Sequence, residues 1–120
     1  MVLIGTKDRK RGINMKNKKF MNERYATAGV NSELPFLYQM AIWQRLALFH
    51  KEGIEIDYFQ VFEFEILIVD GLKVQKMRHR QECPEYENEY VIPIVEDGFT
   101  GSVWVIDDGP YATMLFPGEY

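Results

Sequence analysis

The sequence predicts an α+β fold in which one long helix packs on a mostly antiparallel sheet of five to six strands. Three observations support this prediction: a stretch from 33 to 52 in which Pro35 is the only helix breaker, an alternating segment that ends at Asp70-Gly71, and two further β-rich segments near the end of the chain. With 120 residues, 47% of them apolar, the chain can form one domain with its own core.

The charge of the chain is divided between two regions. Residues 1–24 carry eight basic and two acidic side chains, a net charge of +6, and the other 96 residues carry six basic and sixteen acidic ones, a net charge of −10. We expect residues 1–19 to be a disordered basic extension and 20–120 to be the single domain. Met15 is a candidate natural start, and a nucleic-acid-binding or membrane-binding arm is the alternative interpretation of the extension.

The first elements are a short strand and the long helix. Residues 23–29 favour a strand. Asn31-Ser32 offers a helix N-cap, Pro35 suits a first turn, and Gly53 suits a C-cap, so we expect one helix over 33–52. Apolar side chains lie on nearly every side of this helix, which requires cover beyond the sheet, either from the chain's own loops or from a second subunit.

A hairpin follows the helix. Residues from Tyr58 to Val69 alternate with a period of two, and Asp70-Gly71 is typical of a type I′ turn. A two-residue loop makes the numbers of paired residues sum to 141. This register pairs Glu65 with Lys76, Glu63 with Arg78, Phe64 with Met77, and Phe62 with His79.

The remaining segments complete the sheet. We expect a strand over about 87–95 and a second hairpin formed by 103–106 and 111–116. No apolar run reaches the ~20 residues that a membrane-spanning helix needs, and the single cysteine fits a reducing compartment. The sequence therefore predicts a soluble, cytoplasmic protein.

The strongest candidate for a metal site or a nucleophile lies around His79, Glu82 and Cys83. In a strand, side chains three residues apart point to opposite faces, and zinc requires about four ligands, whereas the second histidine, His50, lies at the helix end. Glu82 and Glu85 flank Cys83, and negative neighbours disfavour the thiolate that a catalytic cysteine needs. The sequence thus predicts no metal, no cofactor and no catalytic residue.

Carboxylates and tyrosines near the third strand and the second hairpin form a candidate partner-binding surface. Its members are Glu82, Glu85, Tyr86, Glu87, Glu89, Tyr90, Asp107 and Asp108. Such a surface favours a protein partner with a basic surface and disfavours direct nucleic-acid binding by the folded domain. The alternative interpretations are a solvated face for the glutamates and a self-satisfied turn for the two aspartates.

Four segments of the sequence resemble the domain-of-unknown-function family number 960, as do Met114-Leu115 and Glu119-Tyr120. The segments are Arg24-Tyr25-Ala26-Thr27, Asp57-Tyr58-Phe59-Gln60-Val61-Phe62, Arg78-His79-Arg80-Gln81-Glu82-Cys83-Pro84-Glu85-Tyr86 and Trp104-Val105-Ile106-Asp107-Asp108-Gly109. The resemblance covers about 20–120. It implies a small bacterial cytosolic protein without an established activity, from a family found with mobile elements, and hence a role in conflict between element and host.

We therefore expect a non-enzymatic interaction protein. Within that class we favour a mobile-element-encoded inhibitor or modulator of a nucleic-acid enzyme, anti-CRISPR-like or another nucleic-acid mimic, that acts through its acidic surface. One alternative is a small-ligand-binding or catalytic domain with a pocket formed by His79, Gln81, Glu82 and Tyr86. The other is a structural homodimer formed through helix 33–52.

Overall fold

Six strands form one mixed sheet in the computed structural model, which describes residues 19–120. The strands are β1 (Glu23–Ala26), β2 (Phe59–Val69), β3 (Leu72–Gln81), β4 (Tyr86–Ile92), β5 (Gly101–Asp107) and β6 (Tyr111–Leu115). Their order is β1-β6-β5-β2-β3-β4, and every neighbouring pair is antiparallel except β1 and β6. This is the predicted α+β fold. The predictions for residues 1–18, including a start at Met15, lie outside the described residues.

The hairpin of β2 and β3 has the predicted register. Phe62 pairs with His79, and Glu65 pairs with Lys76, so paired numbers sum to 141 along the whole ladder. Asp70 and Gly71 have φ values of 53° and 80°, as a type I′ turn requires at both central positions. The alternating pattern and the turn therefore select the same register.

The helical segment begins earlier than predicted and is interrupted. It consists of α1 (Ala28–Glu33), α2 (Phe36–Phe49) and a 3₁₀ turn (His50–Glu52) that makes α2 a helix of seventeen residues. The prediction of one continuous helix over 33–52 was wrong at its start. Pro35 disfavours the helical region for the residue before it, and Leu34 is extended, with ψ of 120°.

The cap of the first helix also differs from the prediction. The hydroxyl of Thr27 accepts a hydrogen bond from the Val30 amide at 3.2 Å, so Thr27 caps α1 and Asn31-Ser32 lies inside that helix. This early start shortens the first strand, which ends at Ala26 instead of continuing to 29. At the other end the prediction is confirmed, because Gly53 has φ of 73° and ends the 3₁₀ turn.

One face of α2 packs on the sheet. Its buried apolar side chains are Tyr38, Ile42, Leu46 and Phe49, spaced three or four residues apart so that they share a face. They meet the inward side chains of the central strands, including Phe62, Phe64, Met77, Val103 and Val105. Burial of each such side chain stabilises the fold by about 1.5–3 kcal/mol.

The last three strands lie close to the predicted positions. The predicted strand over 87–95 is β4, which ends at Ile92 before Pro93, and the predicted second hairpin is that of β5 and β6. Among the described residues, no helix has the length and apolar character needed to cross a membrane.

Candidate functional site

Two acidic turns lie at the same end of the sheet. β3 and β5 both pair antiparallel with β2, so both strands end where β2 begins. The turn after β3 contains Glu82 and Glu85, and the turn after β5 contains Asp107 and Asp108. The two turns are separated by two strand spacings, ~10 Å. We call Glu82, Glu85 and Asp108 the acidic end of the sheet, because these three side chains are exposed.

Asp107 has a structural role within this end. Its Oδ1 accepts a hydrogen bond from the Gly109 amide at 2.7 Å, and its Oδ2 accepts one from the Phe20 amide at 3.0 Å. The first bond is the self-satisfied turn that adjacent turn aspartates favour. The second holds the chain at Phe20, whose side chain is buried in the core. Asp107 is therefore engaged by backbone amides, whereas Asp108 points to solvent.

The carboxylates of Glu82 and Glu85 have no cation within 4 Å among residues 19–120. Asp57 holds the backbone of their turn in place, because its Oδ2 accepts a hydrogen bond from the Cys83 amide at 3.3 Å. A groove of about 290 Å³ borders the turn. It is lined by Arg78, Arg80, Gln81, Glu82, Glu85, Tyr86 and Glu87.

The glutamates of β4 are compensated by neighbouring cations. Glu87 lies 3.1 Å from Arg78, and Glu89 lies 3.6 Å from Lys76. On the other side of β3, Glu65 lies 3.3 Å from Lys76, and Glu63 contacts both Arg78 and Arg80. We call these side chains the charged ladder: Glu63 and Glu65 of β2, Lys76, Arg78 and Arg80 of β3, and Glu87 and Glu89 of β4.

The ion pairs of the charged ladder neutralise most of the negative charge on this face of the sheet. Its four carboxylates face three cations, so the sheet surface over β4 is nearly neutral. Pairs at this degree of exposure contribute about 0–1 kcal/mol each to stability. The exposed carboxylates of the acidic end, in contrast, have no cation within 4 Å among the described residues.

The tyrosines of β4 lie on the opposite face from its glutamates, because side chains alternate along a strand. The Tyr86 ring lies 4.7 Å from the Phe49 ring, and the Arg45 guanidinium lies 5.1 Å from the centre of the Tyr90 ring. Burial, and then a hydrogen bond with Tyr86, raises the pKa of Tyr90 to about 12. The predicted acidic and aromatic residues of β4 thus do not form one continuous surface.

His79 lies in the core. Its exposed fraction is 0%, and its ring stacks on Phe62 and contacts Phe49 at 5.0 Å. Burial, together with the charge of Arg45, lowers the pKa of His79 to about 3, so the imidazole is neutral at pH 7. The residues that line the groove at Gln81, Glu82 and Tyr86 do not include His79.

A buried hydrogen-bond chain links His79 to the acidic end. Gln60 Nε2 donates to Gln81 Oε1 at 2.7 Å, which leaves Gln60 Oε1 to accept from His79 Nε2 at 2.6 Å. Gln81 Nε2 donates to the carbonyls of Glu55 and Pro84, both at 2.9 Å. These hydrogen bonds therefore connect the turn that carries Glu82 and Glu85 to the centre of the sheet and hold it in place.

Sequence reasoning missed two features near this site. Gln60 breaks the apolar series of inward positions on β2, and a buried amide at such a position signals a polar partner. Arg45, the only charged residue within α2, pairs with Glu52 and covers Tyr90. No group of three or more potential metal ligands occurs within residues 19–120.

The chain is similar in fold and sequence to a solved structure. The crystal structure of a protein of unknown function from Enterococcus faecalis is 27% identical and has a TM-score of 0.70, and the match covers 85% of this chain and 95% of that chain. No curated protein is significantly similar to the chain. The family described as a staphylococcal protein of unknown function, DUF960, matches residues 23–119, so the chain belongs to this family.

Proposed function

We propose that this protein is a non-enzymatic binding protein whose acidic end engages a basic surface of a protein partner. The observation that carries the proposal is the contrast between two sets of carboxylates. Those of β4 are paired within the charged ladder, whereas Glu82, Glu85 and Asp108 are exposed and have no cation within 4 Å among the described residues.

The charge of the domain supports this proposal. Residues 25–120 carry a net charge of −10, which attracts a basic surface at long range and repels nucleic acid. The two turns of the acidic end are ordered. Asp57, Asp107 and the side-chain amide of Gln81 hold them in place through hydrogen bonds. The backbone of both turns is therefore ordered before binding, which lowers the entropic cost of association.

The narrower role that we propose is inhibition or modulation of a nucleic-acid enzyme, encoded by a mobile element. Exposed carboxylates on ordered turns resemble backbone phosphates in charge and in hydrogen-bond acceptors. A groove lined with Lys and Arg recognises mainly these two properties in nucleic acid. Binding of the acidic end to such a groove would therefore compete with the nucleic-acid substrate.

The test uses two charge-reversal variants with the same change in net charge. Glu82→Lys/Glu85→Lys alters the acidic end, and Glu96→Lys/Asp97→Lys alters exposed carboxylates beyond the end of β4. Proteins captured from the native host on the wild-type chain are identified, and binding of the purified partner is measured with both variants. We expect the acidic-end variant to lose at least tenfold in affinity and the control to stay within twofold.

The salt dependence of association gives a second measurement. The association rate of the purified pair should fall steeply between 0.05 and 0.5 M salt, because steering between opposite charges is screened. A rate that does not change with salt, or equal binding by both variants, would overturn the proposal.

A small ligand in the groove of about 290 Å³ is the second candidate function. The observation that favours it is that Arg78 and Arg80 lie beside Glu82, Glu85 and Glu87 on one concave surface, which suits a small ligand that carries both a positive and a negative charge. A thermal-shift screen of amino acids and other small zwitterions against the wild type and Arg80→Gln tests it. A shift that the variant loses supports the candidate, and no shift with any of these ligands counts against it.

A further inference from the structure

The outer face of α2 carries large apolar side chains in contact with solvent. The exposed fractions are 67% for Phe36, 61% for Leu37, 49% for Met40 and 42% for Leu48. Spacings of three, four and eight residues place the four side chains on the side away from the sheet. The largest exposed apolar patch of a domain is often a binding site.

This face lacks the charged residues that normally cover an exposed helix. Arg45, the only charged residue within α2, is 9% exposed, and its guanidinium pairs with Glu52 beside the sheet. On one flank, the Arg24 guanidinium covers the Trp43 ring at 5.1 Å. On the other flank, an apolar groove of about 180 Å³ continues the face towards β4. The groove is lined by Ala41, Gln44, Arg45, Leu48, Met77, Tyr90 and Ile92.

We propose that a second copy of this chain covers the outer face of α2, with the two helices antiparallel. The argument rests on the charges at the two ends of the face. Glu33 is the last residue of α1 and lies two residues before the Pro35 cap of α2, and Lys51 lies in the 3₁₀ turn that extends α2; both are exposed. A two-fold axis near residue 42 brings the end of α2 that follows Glu33 in each copy to the end that carries Lys51 in the other.

The same axis places Phe36 of one copy opposite Leu48 of the other, and Met40 opposite the polar side chain of Gln44. A parallel arrangement would instead place Glu33 beside Glu33 and Lys51 beside Lys51, which is repulsive. Because each domain carries a large negative charge, two copies approach at lowest electrostatic cost through a face without charged side chains.

The size of the face indicates a reversible dimer. With ~200 Å² of surface for a large apolar side chain, the four exposed fractions give a patch of roughly 400 Å² per copy. With the flanking polar residues, two copies bury on the order of 1,000 Å² in total, at the lower limit for specific interfaces. We therefore expect dissociation in the micromolar range. This inference is independent of the proposed function of the acidic end.

Sedimentation equilibrium of the full chain over 1–500 µM tests the proposal. The mass should rise from the 14.2 kDa of one chain towards twice that value. Met40→Glu introduces a charge at the centre of the face and should keep the chain monomeric over the whole range. Leu72→Glu is the matched control, because Leu72 is 70% exposed at the start of β3, and it should dimerise as the wild type does.

A charge exchange identifies the orientation. Glu33→Lys and Lys51→Glu should each weaken dimerisation by threefold or more, because each creates like-charged contacts at both ends, and the double variant should restore it. A wild-type chain that remains monomeric at 500 µM overturns the proposal, as does a dimer that Met40→Glu leaves intact. A double variant weaker than both single variants overturns the antiparallel arrangement. Circular dichroism of each variant verifies its fold.

Discussion

The imidazole of His79 lies parallel to the ring of Phe62, with centroids 4.5 Å apart and an angle of 6° between the planes. The two residues are directly opposite each other on β3 and β2, so the hairpin register itself produces the stack. A neutral imidazole stacks in the core without the desolvation cost of a charge. The charge state of His79 is therefore linked to the stability of the fold.

Stability should decrease as the solution becomes more acidic than pH 6.5. The unfolded chain binds a proton at His79 below about pH 6.5, whereas in the folded protein the pKa of His79 is about 3. The unfolded state thus binds more protons between these values, and the free energy of unfolding falls by up to about 1.4 kcal/mol per pH unit from this residue. Its contribution is complete above pH 6.5 and is lost towards pH 3.

Urea unfolding at pH 7.5 and pH 4.5 measures this dependence. Carboxylates also titrate in this range, so the quantity of interest is the difference between the wild type and His79→Phe. Between the two pH values, the free energy of unfolding should fall by roughly 2–3 kcal/mol less in the variant than in the wild type. An equal loss in both proteins would show that His79 is not the linked group.

Removal of the Gln81 side chain should destabilise the protein by about 2–4 kcal/mol. Its amide group accepts from Gln60 and from the Asp57 backbone, and donates to two carbonyls, and the side chain is buried. Gln81→Ala leaves these partners unsatisfied. Chemical denaturation measures the loss, and amide hydrogen exchange should accelerate at Asp57. Gln44→Ala at low micromolar concentration is the exposed control and should change stability by less than about 0.5 kcal/mol.

Loss of the central cation of the charged ladder should have a small effect that depends on salt. Arg78 lies between Glu63 and Glu87, at 3.4 and 3.1 Å, and its side chain is about a third exposed. Arg78→Gln leaves Glu87 without its cation and Glu63 with Arg80 alone, and should cost about 0.5–1 kcal/mol at 0.05 M salt, and less at 0.5 M. Lys73→Gln, an exposed change of the same charge on the same strand, should have no comparable effect.

A methyl group at Gly98 should be more destabilising than one at Gly53. Both glycines have positive φ, of 78° and 73°, so both substitutions incur the same backbone strain, about 1–2 kcal/mol. At Gly98 the added Cβ would also lie 2.9 Å from Ile66 Cδ1 and 3.1 Å from Gln75 Oε1, whereas nothing lies within 4 Å at Gly53. Thermal unfolding of the two alanine variants should differ by at least about 1 kcal/mol, and equal melting temperatures would contradict this contact.

The parts of the fold that the sequence predicts well are those where two local signals agree. The alternation in β2 and the Asp70-Gly71 turn specify one register, and the structure has it. The helix start was predicted wrongly because two cap candidates compete locally. Thr27 is the cap because β1 pairs with β6 and the Thr27 amide donates to the Met114 carbonyl. This tertiary contact has no signature in the local sequence.

The acidic surface was only partly predictable. Alternation along β4 is visible in the sequence and separates Glu87 and Glu89 from the tyrosines. Compensation of the two glutamates requires the β3–β4 register, in which Glu89 pairs with Arg78. The turn between these strands has no two-residue signature that would specify a register, so the sequence alone does not predict this pairing. Whether the acidic end binds a partner stays a prediction.

The hydrogen bond from the Phe20 amide to Asp107 has a practical consequence for affinity tags. Through it, the polypeptide enters the domain beside the acidic end, so a tag or label fused upstream is tethered where we propose that the partner docks. The C-terminal Tyr120 packs instead against Trp104, on the side of the sheet opposite α2. Immobilisation through the C-terminus thus leaves both proposed surfaces accessible.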